Sequence, residues 1–232
     1  MTYNWIASLT LLAIVVSLSL LGYFLAFRVP ALQKMRDINR EQDRIKKAME
    51  KYPPIIKANN GIGMAAYLVF FVGIAPWITT LDTQPVWKGI VDILVILMVY
   101  DFFYYLMHRF LFHGKSFFRQ VHALHHQARN PTHIDAYYVH PLETFMGIAL
   151  YIGTVAALGF MMGPFHAVSI AMTFFIFIQI NIINHTFVDL PYFPFKTLSW
   201  ITAKHHVHHE NMQKGNYATI TLLFDKMFGT LD

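Results

Sequence analysis

The chain has 232 residues, 56% of them hydrophobic and 13% charged, a formal net charge of +5 and a mean hydropathy of +0.42. A soluble domain averages about 25% charged residues, so this composition argues against a free globular protein, and 21 Phe, 12 Tyr and 4 Trp exclude disorder. The absence of Cys removes disulfides, iron–sulfur clusters and thiolate zinc sites, yet there are 13 His, as many as Asp and Glu together.

Trp5 to Phe27 carries no charge and ends at Arg28 and Pro30, long enough for a span of about 20 residues. It lacks a basic leader and a small-residue cleavage site, so it is expected to be a retained first span. The block Lys34–Lys57 mixes Arg36, Arg40, Arg44, Lys46 and Lys47 with Asp37, Glu41, Asp43 and Glu50, which predicts a solvated juxtamembrane helix. A second span is expected over Ile62 to Thr80, and a third from Lys88 to about Met107, with Asp92 and Asp101 embedded. Thr144 to Val188 is again uncharged and too long for one helix, so Met162-Gly163-Pro164-Phe165 reads as the turn between two. The expected fold is an all-α integral membrane bundle of four to five spans.

With Arg28 to Lys57 placed in the cytoplasm, five spans put every Lys and Arg except Lys88 on that side, as the positive-inside rule requires. This accounts for the pI of 9.3 without a nucleic-acid partner. A multi-pass location follows, with a bacterial inner membrane favoured over the ER. Tyr104, Tyr105, Tyr137 and Tyr138 read as an aromatic belt.

Every histidine but His166 falls on the cytoplasmic side of that topology. His108 and His113 stand at the end of the third span, His122, His125 and His126 follow, and His185 marks the fifth exit before His205, His206, His208 and His209. Positions i, i+3 and i+4 share a helical face, so His122, His125 and His126 can converge, as can His205, His208 and His209. His108 and His113 are about 140° apart on an ideal helix, and converge only if the helix ends between them or if they serve different metals. Packing has no use for doubled histidines at a bilayer boundary.

All-nitrogen ligation suits Fe, Zn, Cu or Ni. Catalytic zinc takes three protein ligands and would leave most of this set idle, and His209-Glu210-Asn211-Met212-Gln213 lacks the second His of a zinc protease motif. Two irons with open positions for O2 account for the number of histidines and the membrane setting together. The rival classes are a divalent-metal transporter or metal-binding membrane protein, and a haem protein with two axial histidines.

The segment from Val91 to Leu231 resembles the fatty acid hydroxylase/sterol desaturase superfamily of membrane oxidases. The resemblance rests on Asp101-Phe-Phe-Tyr-Tyr-Leu-Met-His108-Arg-Phe-Leu-Phe-His113, the His122–His126 box and His140-Pro-Leu-Glu143. It continues in Asn184-His185-Thr-Phe-Val-Asp189-Leu-Pro191, the His205–His209 box and a tail from Asn216-Tyr217 to Asp225-Lys-Met-Phe-Gly-Thr230. It implies a cytosolic helical cap holding a di-iron centre on His108, His113, His122, His125, His126, His185, His205, His208 and His209.

The implied reaction is O2-dependent hydroxylation or desaturation of a membrane lipid: a sterol, a fatty acyl chain or a related compound. Its electrons would come from a separate electron-transfer protein or reductase. The chain then divides into an N-terminal span with its basic segment, 1–60, and a catalytic membrane domain, 61–232. One departure stands out: fatty acid hydroxylases have a further His shortly after the position of His185, where this chain has Asp189 before Pro191, closer to the sterol-oxidase branch. A tenth ligand would then be Asp189, His206, His133 or His140, or the position is left open. Asp101, nearly on the helical face of His108, is the expected partner orienting that ring, with Asp225 and Glu143 as further candidates.

Overall fold

The computed structural model describes residues 2–188, 192 and 195–232. Helix α1 (Trp5–Arg28) starts where the Asn4 side chain accepts the amide of Ala7 at 3.0 Å, a standard N-cap. Helix α2 (Pro30–Lys47) begins on a proline that fixes the first turn. Helix α3 (Tyr52–Val69) runs through a π-helical turn, Phe70–Ile74, into the short α4 (Ala75–Ile78). The ladder thus widens just before Pro76, which has no N–H to give. Helix α5 (Val86–Leu106) likewise continues into a π-helical turn, Met107–Phe112.

Helix α6 (Phe117–Ala123) and two 3-10 turns, His125–Gln127 and His133–Tyr137, lead to α7 (Pro141–Met162). The chain reverses at Gly163, whose φ of +96° favours glycine, and returns as α8 (Ala167–Asn184). Helices α9 (Phe195–Glu210) and α10 (Leu223–Met227) complete the described residues. A two-residue parallel bridge, β1 (Thr79–Thr80) with β2 (Phe165–His166), ties the far ends together.

Five helical stretches are long and apolar enough to cross a membrane: Trp5–Arg28, Tyr52–Ile78, Val86–Phe112, Pro141–Met162 and Ala167–Asn184. The protein is therefore a multi-pass all-α bundle. Its second span starts ten residues before the expected Ile62, because Pro53 and Pro54 open a helical turn that already carries Lys57. Helix α1 packs along α8, α3 along α7, and α5 against both α7 and α8. The core between them holds Leu11, Phe70, Ile96, Tyr100, Tyr151, Ile170 and Phe174, while Leu20, Tyr23 and Phe24 of α1 face outward as lipid-facing residues do.

Two expectations need correction. Helix α2 is more than a solvated strip: Asn39 is buried and bonds to the carbonyl and amide of Phe187. Asp43 accepts from the Thr132 hydroxyl and the Ile134 amide, and Lys46 pairs with buried Asp135. The four tyrosines do not form a belt either, since Tyr105 and Tyr138 are buried and Tyr104 and Tyr137 line an internal cavity. Their rings stack inward, Tyr105 on Phe228 at 5.4 Å and Tyr138 on Tyr52 at 4.1 Å.

Candidate metal centre

At the end of the bundle where α5, α7 and α8 meet α6 and α9, nine histidines gather in two groups. His108, His113, His122, His126 and His208 form one; His125, His185, His205 and His209 form the other. Within each group one ring nitrogen per residue lies within 4.8 Å of all the others. These are the nine histidines singled out from the sequence, but each His-x-x-His-His box is divided between the groups. The reason is local: α6 stops at Ala123, and the 3-10 turn that follows aims His125 away from His122 and His126. On α9, His205 and His209 are one turn apart and point to one group, while His208 points to the other.

His108 and His113 converge by a route outside the two alternatives considered. The π turn closes with the His113 amide on the His108 carbonyl at 3.0 Å, so residues five apart share a face.

The second nitrogen of most rings is tied to an acceptor. The Nδ1–H of His108 donates to the Tyr217 carbonyl at 2.7 Å, that of His113 to Met212 at 2.7 Å, and that of His185 to Asn181 at 2.7 Å. His125 donates to the Tyr138 carbonyl at 3.2 Å, His208 to Gly215 at 2.8 Å and His209 to Ala128 at 3.1 Å. His122 instead donates to the Glu143 carboxylate at 2.7 Å. A carbonyl can only accept, so these bonds put the proton on Nδ1 and leave the Nε2 lone pair facing the group. Gly215 is needed where it stands: a Cβ there would lie 1.8 Å from the Thr230 carbonyl oxygen.

The inward nitrogens crowd one another. Nε2 of His122 lies 3.0 Å from those of His108 and His126, and His126 lies 3.1 Å from His208. In the second group His185 is 2.9 Å from His125 and 3.1 Å from His205, which is 3.1 Å from His209. Lone pairs facing each other at this range repel unless a cation lies between them. Nitrogens about 2.1 Å from a metal stand about 3.0 Å apart at right angles and about 3.4 Å at the tetrahedral angle. The observed spacings are of the size expected for nitrogens that share one metal ion. His113 Nε2, buried without a partner among the described residues, is a further donor such an ion would satisfy.

Metal binding requires neutral rings, and burial favours that form for most of them. Desolvation, helped by neighbouring imidazoles, holds His122, His126, His185, His205, His208 and His209 well below the ordinary histidine range. Desolvation likewise takes His113 down to about 4.

The other candidates fall elsewhere. Asp101 does not touch His108. It is fully buried and accepts from the amides of Thr219, Ile220 and Thr221 and from the Thr221 hydroxyl, at 2.8–3.0 Å. Asp225 plays a similar part for the amides of Tyr217 and Ala218, so both carboxylates hold the strand of backbone that presents the Tyr217 carbonyl to His108. The orienting carboxylate is Glu143, one turn into α7. His133 pairs with Asp43 at 3.3 Å and His140 caps α7. His206 packs on Phe187 at 4.8 Å. None of the three joins either group, and Asp189 lies outside the described residues. His166, given no role from sequence, caps α8 by accepting the Val168 amide.

The sequence reading missed the cavity. A space of about 580 Å³ runs from His108, His122, His125, His185 and His205 down between α3, α5, α7 and α8. Its walls carry Gly63, Met64 and Tyr67 of α3, Tyr100 and Tyr104 of α5, Gly147 and Ile148 of α7, and Phe177 and Ile178 of α8. Nothing in the apolar periodicity of those helices distinguishes a cavity wall from a packed interface.

Comparison with known proteins gives a family. The fatty acid hydroxylase family profile matches residues 93–230. Methylsterol monooxygenase 1 of Rattus norvegicus is 31% identical over 134 residues, 57% of this chain and 44% of that protein. The enzyme of the same name from Danio rerio is 29% identical over 153 residues, covering 64% and 50%. A very-long-chain aldehyde decarbonylase of Oryza sativa subsp. indica is 30% identical over 152 residues, covering 63% and 54%. The chain thus spans about half the length of the curated relatives it matches, and no solved structure matches it. With more than half its residues under one family profile and nine histidines within that match gathered at one end of a membrane bundle, the chain belongs to the fatty acid hydroxylase family.

Proposed function

We propose that this protein is a membrane oxidoreductase that uses O2 to hydroxylate or desaturate a lipid at two histidine-held irons. The observation that carries the reading is the pair of histidine groups opening onto one cavity inside a membrane bundle. His108, His113, His122, His126 and His208 would hold one iron; His125, His185, His205 and His209 would hold the other. When bound, the irons supply O2 activation and oxidation of an unactivated C–H bond, with overall balance RH + O2 + 2e⁻ + 2H⁺ giving ROH + H2O. Asp189, unassigned by the geometry, remains the candidate for a tenth ligand, and 61–232 the catalytic membrane domain.

The chain's own residues bind, orient and exclude water. Apolar walls from α3, α7 and α8 would take a lipid directly from the bilayer and strip water from it. His108, His122, His125, His185 and His205 form the inner face of the cavity, so a C–H bond held there meets both groups. Glu143 and the carbonyls of Tyr217, Met212, Tyr138, Asn181, Gly215 and Ala128 fix the ring orientations in advance. The concentration of Lys and Arg at the histidine end supports a cytoplasmic position for it, where a separate electron-transfer protein can dock. A metal transporter would be expected to place its ligands midway along broken helices, whereas both groups sit at helix ends.

The test is lipid mass spectrometry after incubation of membranes holding the protein with ¹⁸O2 and a reductant. Gain of one labelled oxygen, or loss of two hydrogens, in a single lipid class is expected. An unchanged lipid profile, with metal flux into sealed vesicles, would contradict the proposal.

A further inference from the structure

The floor of the cavity lies well below the histidines. Tyr100 precedes His108 by eight residues on α5, Phe177 precedes His185 by eight on α8, and Tyr151 follows Glu143 by eight on α7. At about 1.5 Å per residue each is about 12 Å deeper than the histidine layer. Their rings meet, Tyr100 with Phe177 at 5.2 Å, Tyr100 with Tyr151 at 5.7 Å and Tyr151 with Phe177 at 4.4 Å. Tyr67 of α3 reaches the same level, 4.9 Å from Phe174, which is 6.0 Å from Tyr151.

These tyrosines differ in how their hydroxyls are satisfied. Tyr151, off the cavity wall, bonds to the Thr173 hydroxyl at 2.9 Å. Tyr67 and Tyr100 are on the wall, and their hydroxyls make no hydrogen bond among the described residues. Tyr100 is 1% exposed. Tyr67 is half-buried, and a hydroxyl lining a cavity at this depth costs free energy unless something in the cavity partners it. The fold supplies one for Tyr151, outside the cavity, and among the described residues none for Tyr67 and Tyr100 at its floor.

We infer that Tyr67 and Tyr100 form a polar floor that anchors an oxygen-bearing group, a hydroxyl or carbonyl, at the far end of the lipid substrate. A phenol both donates and accepts, so it suits either group. Between floor and histidines the wall alternates Gly147, Ile148 and Ile178 with Tyr104 and Asn181, leaving an apolar face for the body of such a lipid. The anchor then selects the carbon that reaches the histidine layer: roughly ten methylenes of extended chain, with C–C bonds of about 1.5 Å, cover the distance. This inference rests on the lipid-oxidase reading and adds the class of substrate, one with an oxygen function about 12 Å from the oxidised carbon. Tyr67 belongs to the part of the chain that precedes the family match at 93–230.

The test uses purified metal-free protein in detergent, with dodecanol and n-dodecane as probes and thermal unfolding as the binding readout. Dodecanol is expected to bind about tenfold more tightly than n-dodecane, the value of one net hydrogen bond. In Tyr67→Phe/Tyr100→Phe the two probes should bind within about twofold of each other, with Tyr100→Phe alone in between. Tyr151→Phe, which loses a bond outside the cavity, should keep the tenfold preference. Comparing variants with the same probe cancels micelle partitioning.

No preference in the natural protein, or an undiminished one in the double variant, overturns the anchor and leaves the hydroxyls to bound water. In the iron-loaded protein the oxidised carbon of dodecanol should lie near the end remote from its hydroxyl, and the position should scatter in the double variant. A preference without any oxidation would sink the oxidase reading alone. Oxidation without a preference would sink the anchor alone.

Discussion

At the scale of single residues, the histidines matter less for their number than for what holds their outer nitrogens. Among the described residues, Glu143 is the one carboxylate that takes an Nδ1–H from a ring of either group. Its removal frees His122 to rotate or change tautomer. Glu143→Ala is expected to weaken metal binding at the five-histidine group by about 10–100-fold and to leave the four-histidine group unchanged. Competition with a chelator of known affinity measures both, and equal weakening at both groups would contradict the assignment.

Asp101 acts differently. It gathers three amides and a hydroxyl from Thr219 to Thr221, and Asp101→Ala would leave buried donors unpaired. A loss of about 3 kcal/mol in stability is expected, read from unfolding of the metal-free protein. An effect on metal affinity with no loss of stability would instead restore it as a direct partner of a ring.

At the scale of elements, two features make the site: a π turn and a strut. The turn Met107–Phe112 carries five-residue spacing onto one face and so admits both His108 and His113 to one group. The strut is α2. Its Asp43 holds Thr132 and Ile134, and its Lys46 holds Asp135. They brace the segment whose Ala128 and Tyr138 carbonyls orient His209 and His125. Asp43→Ala should therefore speed hydrogen exchange across residues 128–138 and weaken the four-histidine group selectively. Unchanged exchange there would show that α2 merely lies against the loop.

At the scale of the whole molecule, the spans and the nine histidines were legible because hydropathy and doubled imidazoles are one-dimensional signals. The division of those histidines was not, because it depends on where α6 stops and where α5 widens, and neither Leu124 nor Met107 announces this in sequence. Asp101 misled for a related reason: helical phase placed it under His108, but three amides from residues 219–221 occupy it. The cavity was invisible because Ile148 and Phe177 look the same in a packed core.

Burial of so many neutral imidazoles also makes stability depend on pH. The folded, metal-free protein holds them below the value of about 6.5 they have when unfolded, with His113 and His206 near 4. The unfolded chain thus binds more protons below that value, so stability is complete above pH about 6.5 and falls as pH drops toward 4. Unfolding midpoints across this range check it, and a midpoint independent of pH would contradict it.

The central claim is that the nine histidines hold two metals in the division described. Iron per chain, measured on protein purified without oxygen, tests it most directly. Two irons are expected for the natural protein, one for His122→Ala/His208→Ala and one for His125→Ala, each of which leaves three histidines in one group. Two irons retained in both variants, or none in the natural protein, would contradict the account.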